Sequence, residues 1–309
     1  MIQPFRIGTG NNRLALVQTS YIAKLLQSTA SEIPIEVVQI RTTDDKIRNV
    51  SLEKIGSTIL FTKGIETALL ENKIDAAVHS LKDLESTLPA GLILGAVPVR
   101  EDVRDALIAP KRSTLENLPP GARILTGSLR RKAQLLHLRG DFVIETVHGN
   151  VETRIRRFYQ SGADGLIAAA AELQRLTLDF HIAEYIPVDV IIPAVGQGAL
   201  GIEIRANDER ARVICNKINN NIFYQTALGE RSFLRTLKGD RKIPIGCIGK
   251  TDGDTIKLTG FVATADGSLF IKQSLQGQLA ESESVGKLLA ENILNAGGNE
   301  MLEQFHRRN

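Results

Sequence analysis

Apolar runs that read as strands alternate with segments of helical period along most of this chain, and that alternation constrains the fold more than any other feature. Residues 5–8 form a short strand candidate, followed by Leu14, Val17, Tyr21 and Leu25 at helical spacing. Residues 35–40 (IEVVQI) are β-branched and strand-like, Phe61, Ile65, Ala68 and Leu69 mark a helix, and 74–78 and 92–97 read as strands. The plan restarts near residue 105: strands at 106–109 and 123–125, a helix opening after Ser128 as N-cap, a strand at 142–147, a helix at 151–160, and a buried strand at 165–169 leading into a helix at 172–176. Strands separated by helices imply mostly parallel sheets covered on both faces. The glycine-hinged stretch 193–204 reads as a returning strand. After it the pattern changes: alternating strands at 255–264 and 269–275, a turn at Ala265-Asp266-Gly267, and a helix carrying Val285, Leu288, Leu289, Asn292 and Ile293 predict a small antiparallel sheet with a helix on it.

Two similar α/β halves predict paired lobes with a ligand cleft, and 309 residues suffice for two or three domains. The excluded classes follow from composition. Net charge is only +3, no run of five like charges occurs, and there is no Trp, which leaves little for nucleic acid to bind. The N-terminus lacks an apolar core for a secretory signal, and no stretch is long and apolar enough to span a bilayer. Cys215 and Cys247 are the only cysteines, without CxxC spacing, so neither a metal site nor a disulfide framework is expected. The expectation is a cytoplasmic monomer that binds neither nucleic acid nor membrane.

Basic residues gather where helices begin. Arg130 and Arg131 open a helix directly after a strand, Arg154, Arg156 and Arg157 follow Gly149-Asn150, and Arg175 closes another strand–helix unit. Helix N-termini present free N–H groups and a positive dipole end, and guanidinium forks grip carboxylates two-handed. Together they fit a small polycarboxylate or a phosphate. On pattern alone Arg130 and Arg131 fit an anion site or a helix surface equally; Arg156 and Arg157 fit a surface. The run from Asp75 to Asp83 puts polar groups at the end of a strand, where parallel sheets bind ligands. Asp83 there could serve as a general acid or an electrostatic partner of a cation, but on pattern alone a helix cap or a lysine partner is the better reading. His79 reads as a packed, hydrogen-bonded histidine. Gly8-Thr9-Gly10-Asn11-Asn12 could cradle an anion but fits no dinucleotide or P-loop pattern.

The run VHSLKD at 78–83 resembles the signature of the porphobilinogen deaminase (hydroxymethylbilane synthase) family. GSLRRKAQL at 127–135, GNVETRIRR at 149–157, AAAELQRL at 169–176, PAVGQGALGIE at 193–203, ERSFLRTL at 230–237 and IPIG at 243–246 are similar to further blocks of that family, in the same order. The resemblance implies two type II periplasmic-binding-protein-like α/β lobes plus a small α+β C-terminal domain, divided as 1–97 with 198–216, 98–197, and 217–309. It implies a transferase of tetrapyrrole biosynthesis that condenses porphobilinogen, a pyrrole carboxylate, in the interlobe cleft and releases ammonia. Asp83 would be the catalytic carboxylate; Lys82, Ser128, Arg130, Arg131, Arg154, Arg175 and Gln197 would bind acetate and propionate groups. No metal is implied. Family members hold the growing chain on a dipyrromethane primer, thioether-linked to a cysteine.

At that cysteine this chain has Arg241, within Gly239-Asp240-Arg241-Lys242-Ile243-Pro244-Ile245-Gly246. Cys247 lies six residues on, too far along an extended chain to stand at the same point, and reads as a small buried residue, as does Cys215. Gly10 and Asn12 replace an arginine and a serine of the family, Thr58 a lysine, His148 an arginine, and Glu85 stands at a usual proline. Each lost charged hydrogen bond weakens anion binding by about 1.5–3 kcal/mol. The expected cofactor is therefore not covalent: a dipyrromethane or pyrrole primer held non-covalently. The alternative is a paralogue of altered or no activity that binds a pyrrole or polycarboxylate ligand.

Overall fold

The computed structural model describes residues 3–40, 57–110, 113–239 and 243–308. Gly56, Asp240, Arg241 and Lys242 lie outside the described residues, and with them the position at which the family's cysteine would stand. The chain forms two compact units, 1–100 with 199–224, and 101–198 with 225–309.

Unit 1 opens with β1 (Phe5–Thr9), α1 (Arg13–Thr29), β2 (Ile35–Gln39), α2 (Ser57–Leu70), β3 (Ala76–Ser80) and β4 (Leu92–Ala96). Asn12 starts α1 because its Oδ1 accepts the Ala15 N–H at 2.9 Å, satisfying one of the donors that a first turn leaves open. Unit 2 continues with β5 (Asp105–Ile108), β6 (Arg123–Leu125), α3 (Leu129–Leu138), β7 (Val143–Glu145), α4 (Val151–Ser161), β8 (Gly165–Ala169), α5 (Ala170–Arg175) and β9 (Ile182–Ile186). Ser128 caps α3 as the sequence predicts, with its Oγ 3.4 Å from the Arg131 N–H. Asn150 caps α4, which ends on Gly162 in the left-handed region that glycine enters without steric cost. The chain then returns to unit 1 through β10 (Leu200–Arg205) and α6 (Glu209–Asn216). It ends with α7 (Asn221–Thr236), β11 (Ile245–Asp252), β12 (Thr255–Ala263), β13 (Phe270–Gln278), α8 (Ser282–Ile293) and α9 (Asn299–Arg308).

The strand orders are β2-β1-β3-β10-β4 in unit 1, and β7-β6-β8-β5-β9 with a separate β11-β12-β13 in unit 2. In each five-stranded sheet one strand, β10 or β5, runs antiparallel to both neighbours. The three-stranded sheet is antiparallel throughout. The fold is thus the expected α/β one: two five-stranded sheets flanked by helices and a small α+β C-terminal part. Phe5, Ile7, Val78 and Ile202 meet Ile22 and Leu26 of α1 on one face of the first sheet; Ala77 meets Ile65 and Leu69 of α2 on the other. Each fully buried Ile or Leu in such layers contributes roughly 1.5–3 kcal/mol.

Two boundaries differ from the sequence reading in ways that matter for function. β3 runs two residues later than the apolar run, because His79 and Ser80 continue the ladder with Gly201 and Leu200 of β10. The return strand begins only at Leu200; residues before it form a turn in which Gly196 and Gly198 have φ of 73° and 83°.

Candidate active site

In unit 1 the chemistry-bearing residues sit at the carboxyl end of β3. Ser80 Oγ accepts from Gln18 Nε2 of α1 at 2.7 Å. The chain then makes one tight 3-10 turn, Leu81–Asp83. The Leu81 N–H donates to the Ala199 carbonyl at 3.0 Å, and the Leu84 N–H to the Leu81 carbonyl at 3.2 Å. The Leu81 side chain is buried against Gly201, where a Cβ would stand 2.8 Å from Leu81 Cδ1. An anchored apolar residue thus holds Lys82 and Asp83 at the strand end, both half-buried. Asp83 keeps Oδ1 out of solvent.

In unit 2 the sequence-predicted arginines turn inward to a carboxylate that sequence reasoning did not single out. Asp105, the first residue of β5, is fully buried between Arg130 and Arg131. Arg131 reaches Asp105 Oδ1 through Nε at 3.0 Å and an Nη at 2.8 Å, and Arg130 reaches Oδ2 at 2.7 Å. Arg130 also donates to the Ile192 carbonyl at 2.6 Å and Arg131 to the Ile167 carbonyl at 3.2 Å. Gln197 Nε2 completes the cluster, donating to Asp105 Oδ1 at 3.0 Å and to the Val103 carbonyl at 2.8 Å. Burial alone would raise the Asp105 pKa, but the two guanidinium charges outweigh it and hold the carboxyl below its ordinary value. Burial lowers the Arg130 pKa against the opposing pull of Asp105. Two guanidiniums against one carboxylate leave this cluster with surplus positive charge under the N-terminus of α3.

Arg175 joins the same neighbourhood. It donates to the Gly198 carbonyl at 2.7 Å, and its Nε lies 2.8 Å from Glu101 Oε2. Gly198 allows this approach, since a Cβ there would stand 2.5 Å from the Glu101 carbonyl oxygen. Arg154, near the start of α4, lies 3.4 Å from Glu172 of α5. Arg156 and Arg157 are exposed on the outer face of α4. Glu230 of α7, fully buried, ties the glycine turn to the C-terminal sheet by accepting the N–H groups of Gly196 and Gly249, each at 2.8 Å. The structure therefore brings Ser128, Arg130, Arg131, Gln197 and Arg175 into one connected region of unit 2, with Arg154 on an ion pair to α5, and holds Lys82 and Asp83 on one turn of unit 1.

Residues 5–213 match the family model described as "Porphobilinogen deaminase, dipyromethane cofactor binding domain", and 224–295 match "Porphobilinogen deaminase, C-terminal domain". The chain belongs to the porphobilinogen deaminase family. Among similar relatives is the porphobilinogen deaminase of Syntrophotalea carbinolica, 44% identical over 297 residues that cover 96% of this chain and 94% of that one. That of Geobacter sulfurreducens is 42% identical, covering 98% and 95%. Among solved structures, the Bordetella pertussis BvgS periplasmic VFT2 domain is 13% identical with a TM-score of 0.40, covering 69% of this chain and 86% of that one. The alkanesulfonate-binding protein SsuA from Xanthomonas axonopodis pv. citri is 16% identical with a TM-score of 0.36, covering 74% and 72%.

Whether a porphobilinogen deaminase primer could be attached covalently here turns on thiol chemistry, which needs an accessible thiolate. Both cysteines are buried. Cys215 packs in the core of unit 1, and its thiol pKa is pushed up to about 12 by burial, with the Asp208 charge adding to the shift. Cys247 lies in β11 within the core of the C-terminal sheet, and its N–H donates to the Pro193 carbonyl at 3.1 Å. Neither residue fits thioether attachment. Among the described residues no cluster of His, Cys, Asp and Glu could hold a metal ion, and no helix is long and apolar enough to cross a membrane.

Proposed function

We propose that this chain condenses porphobilinogen, or a related pyrrole, with Asp83 as acid and base and without a covalent primer. The observation that supports the chemistry most is the anchored turn that carries Asp83 at the end of β3. The aminomethyl carbon of one pyrrole loses ammonia and becomes a methylene cation conjugated with its ring nitrogen. The free α-carbon of a second pyrrole bonds to it and then sheds its proton. The Asp83 carboxylate stabilises the cation, accepts that proton and passes it to ammonia, so that ammonium leaves and the carboxylate is regenerated.

Lys82, Ser128, Arg154, Arg175 and Gln197 are assigned to the acetate and propionate groups. Arg130 and Arg131 serve the same carboxylates through the surplus charge of their cluster around Asp105, to which the capped start of α3 adds its dipole. The burial of both cysteines, with Arg241 at the family's attachment point, supports a primer held by ionic contacts alone. The same absence of an attachment thiol supports a second reading, a paralogue that binds pyrrole carboxylates without joining them.

Incubation of the full chain with porphobilinogen tests both. The expected result is ammonium release and a pyrrole oligomer in solution, with the denatured protein at its unmodified mass, and loss of release in Asp83→Asn. A mass increment on Cys247 overturns the non-covalent primer; wild-type turnover by Asp83→Asn overturns the catalytic assignment. Binding without ammonium release selects the second reading.

A further inference from the structure

The strand that leads into the Asp83 turn carries a buried histidine–carboxylate contact for which this chemistry has no direct use. His79 Nε2 lies 3.0 Å from Glu203 Oε2, with the two side chains 6% and 0% exposed. The partners come from β3 and β10 and are separated by 124 positions in sequence. In the strand register Gly201 faces His79 and Glu203 faces Ala77, so the pair crosses diagonally between the two strands. It lies on the face that α2 covers, where Ala77 packs against Ile65 and Leu69. Glu66 of α2 faces the same space: burial raises its pKa, and the Glu203 charge adds to that.

This arrangement is costly. Glu203 Oε1 is buried and accepts no hydrogen bond among the described residues, and a buried polar pair left partly unsatisfied is commonly no more stable than an apolar pair of the same size. What the pair does supply is register. The pairing of β10 with β4 shifts between Ile202 and Glu203, so β10 is irregular at the residue that holds His79. A one-residue slip would send every side chain of the strand to the opposite face. His79 is the last residue but one of β3, and the turn carrying Lys82 and Asp83 begins two positions after it.

We propose that the His79–Glu203 pair is a positioning device for Asp83: it locks β3 to β10 in register at the strand end, so that the turn Leu81–Asp83 leaves the sheet at one fixed place. The inference rests on the assignment of Asp83 as acid and base. Neither His79 nor Glu203 takes part in the proposed proton transfers, so both act as positioning residues.

The test compares His79→Phe, which keeps the volume and loses the N–H, with Glu203→Gln, which keeps an acceptor for His79. A displaced catalytic group costs up to about a hundredfold in rate. His79→Phe is therefore expected to lower kcat for porphobilinogen roughly 10- to 100-fold with KM within about threefold, and to speed hydrogen exchange of the Leu81 amide at least about tenfold over that of β1 amides. Glu203→Gln is expected to stay within about threefold of wild type in both readouts. Where His79→Phe does not fold, Glu203→Leu, an apolar group of similar size, gives the same losses. The proposal is overturned if the folded variant keeps wild-type kcat, or if Leu81 exchange rises no more than that of β1. Wild-type turnover by Asp83→Asn would overturn the assignment of Asp83 instead, while Leu81 exchange still reports on the positioning.

Discussion

Replacing Asp105 by Asn removes one charge from the centre of unit 2 and leaves the shape nearly intact. The carboxylate is fully buried and receives Arg131 at 2.8 and 3.0 Å, Arg130 at 2.7 Å and Gln197 at 3.0 Å. Removing one partner of a buried ion pair costs about 3–5 kcal/mol. Asparagine keeps one acceptor oxygen, so the lower end, about 3 kcal/mol, is expected. For a unit of this size each kcal/mol moves the melting point by roughly 2–4 °C, so the unit 2 transition should fall by about 6–12 °C at neutral pH. The pH dependence gives a second check. The Asp105 pKa is lower folded than unfolded, so its contribution is complete above the ordinary carboxylate value near about 4 and is lost as pH falls towards the folded value. The gap between wild type and Asp105→Asn should therefore be constant from neutral pH down to about 5 and close below about 4. Urea denaturation followed across that range measures it. A gap under about 0.5 kcal/mol at neutral pH, or one that widens on acidification, refutes the placement of Asp105 as the anchor of both arginines.

Two further outcomes follow from the same geometry. Neither Cys215 nor Cys247 should react with an aqueous thiol reagent in the folded protein, both should react in denaturant, and a Cys215→Ala/Cys247→Ala chain should keep turnover within about twofold of wild type. Gly198→Ala combines a φ of 83° with a Cβ 2.5 Å from the Glu101 carbonyl oxygen, so thermal unfolding should show a loss of about 1–3 kcal/mol or more; an unchanged melting curve would count against the turn.

Local chemistry explains what the sequence made legible. β8 is five buried residues in a row, and Ser128 precedes its helix with a side chain that can cap it, so both were readable from neighbours alone. Asp105 was not. In sequence it sits beside Arg104 in a charged stretch that resembles a surface turn, and its burial follows only once Arg130 and Arg131 arrive from α3. For the same reason the pattern leaves Arg130 and Arg131 open between an anion site and a helix surface, because the carboxylate they meet is far away in sequence. His79 was readable as a packed histidine, but its partner Glu203 lies on another strand, and no local pattern announces a pair of that separation. The end of β3 was misplaced because polar His79 and Ser80 break the apolar run while the ladder with β10 carries it on.

The place of β10 in its sheet also sets an order of assembly. Unit 1 is drawn from residues 1–100 and 199–224, and β10 lies between β3 and β4. As the chain leaves the ribosome, β3 and β4 emerge early and have nothing between them until residues 200–205 follow. Closing so long a loop adds little to the equilibrium cost, which grows only with the logarithm of its length, but non-local pairing slows folding. Glu203 and the Ala199 carbonyl that receives Leu81 arrive together in that late segment. A nascent chain stopped before residue 199 would hold Asp83 in its sequence and lack both clasps that fix it, so the competent turn is among the last features of the unit to mature.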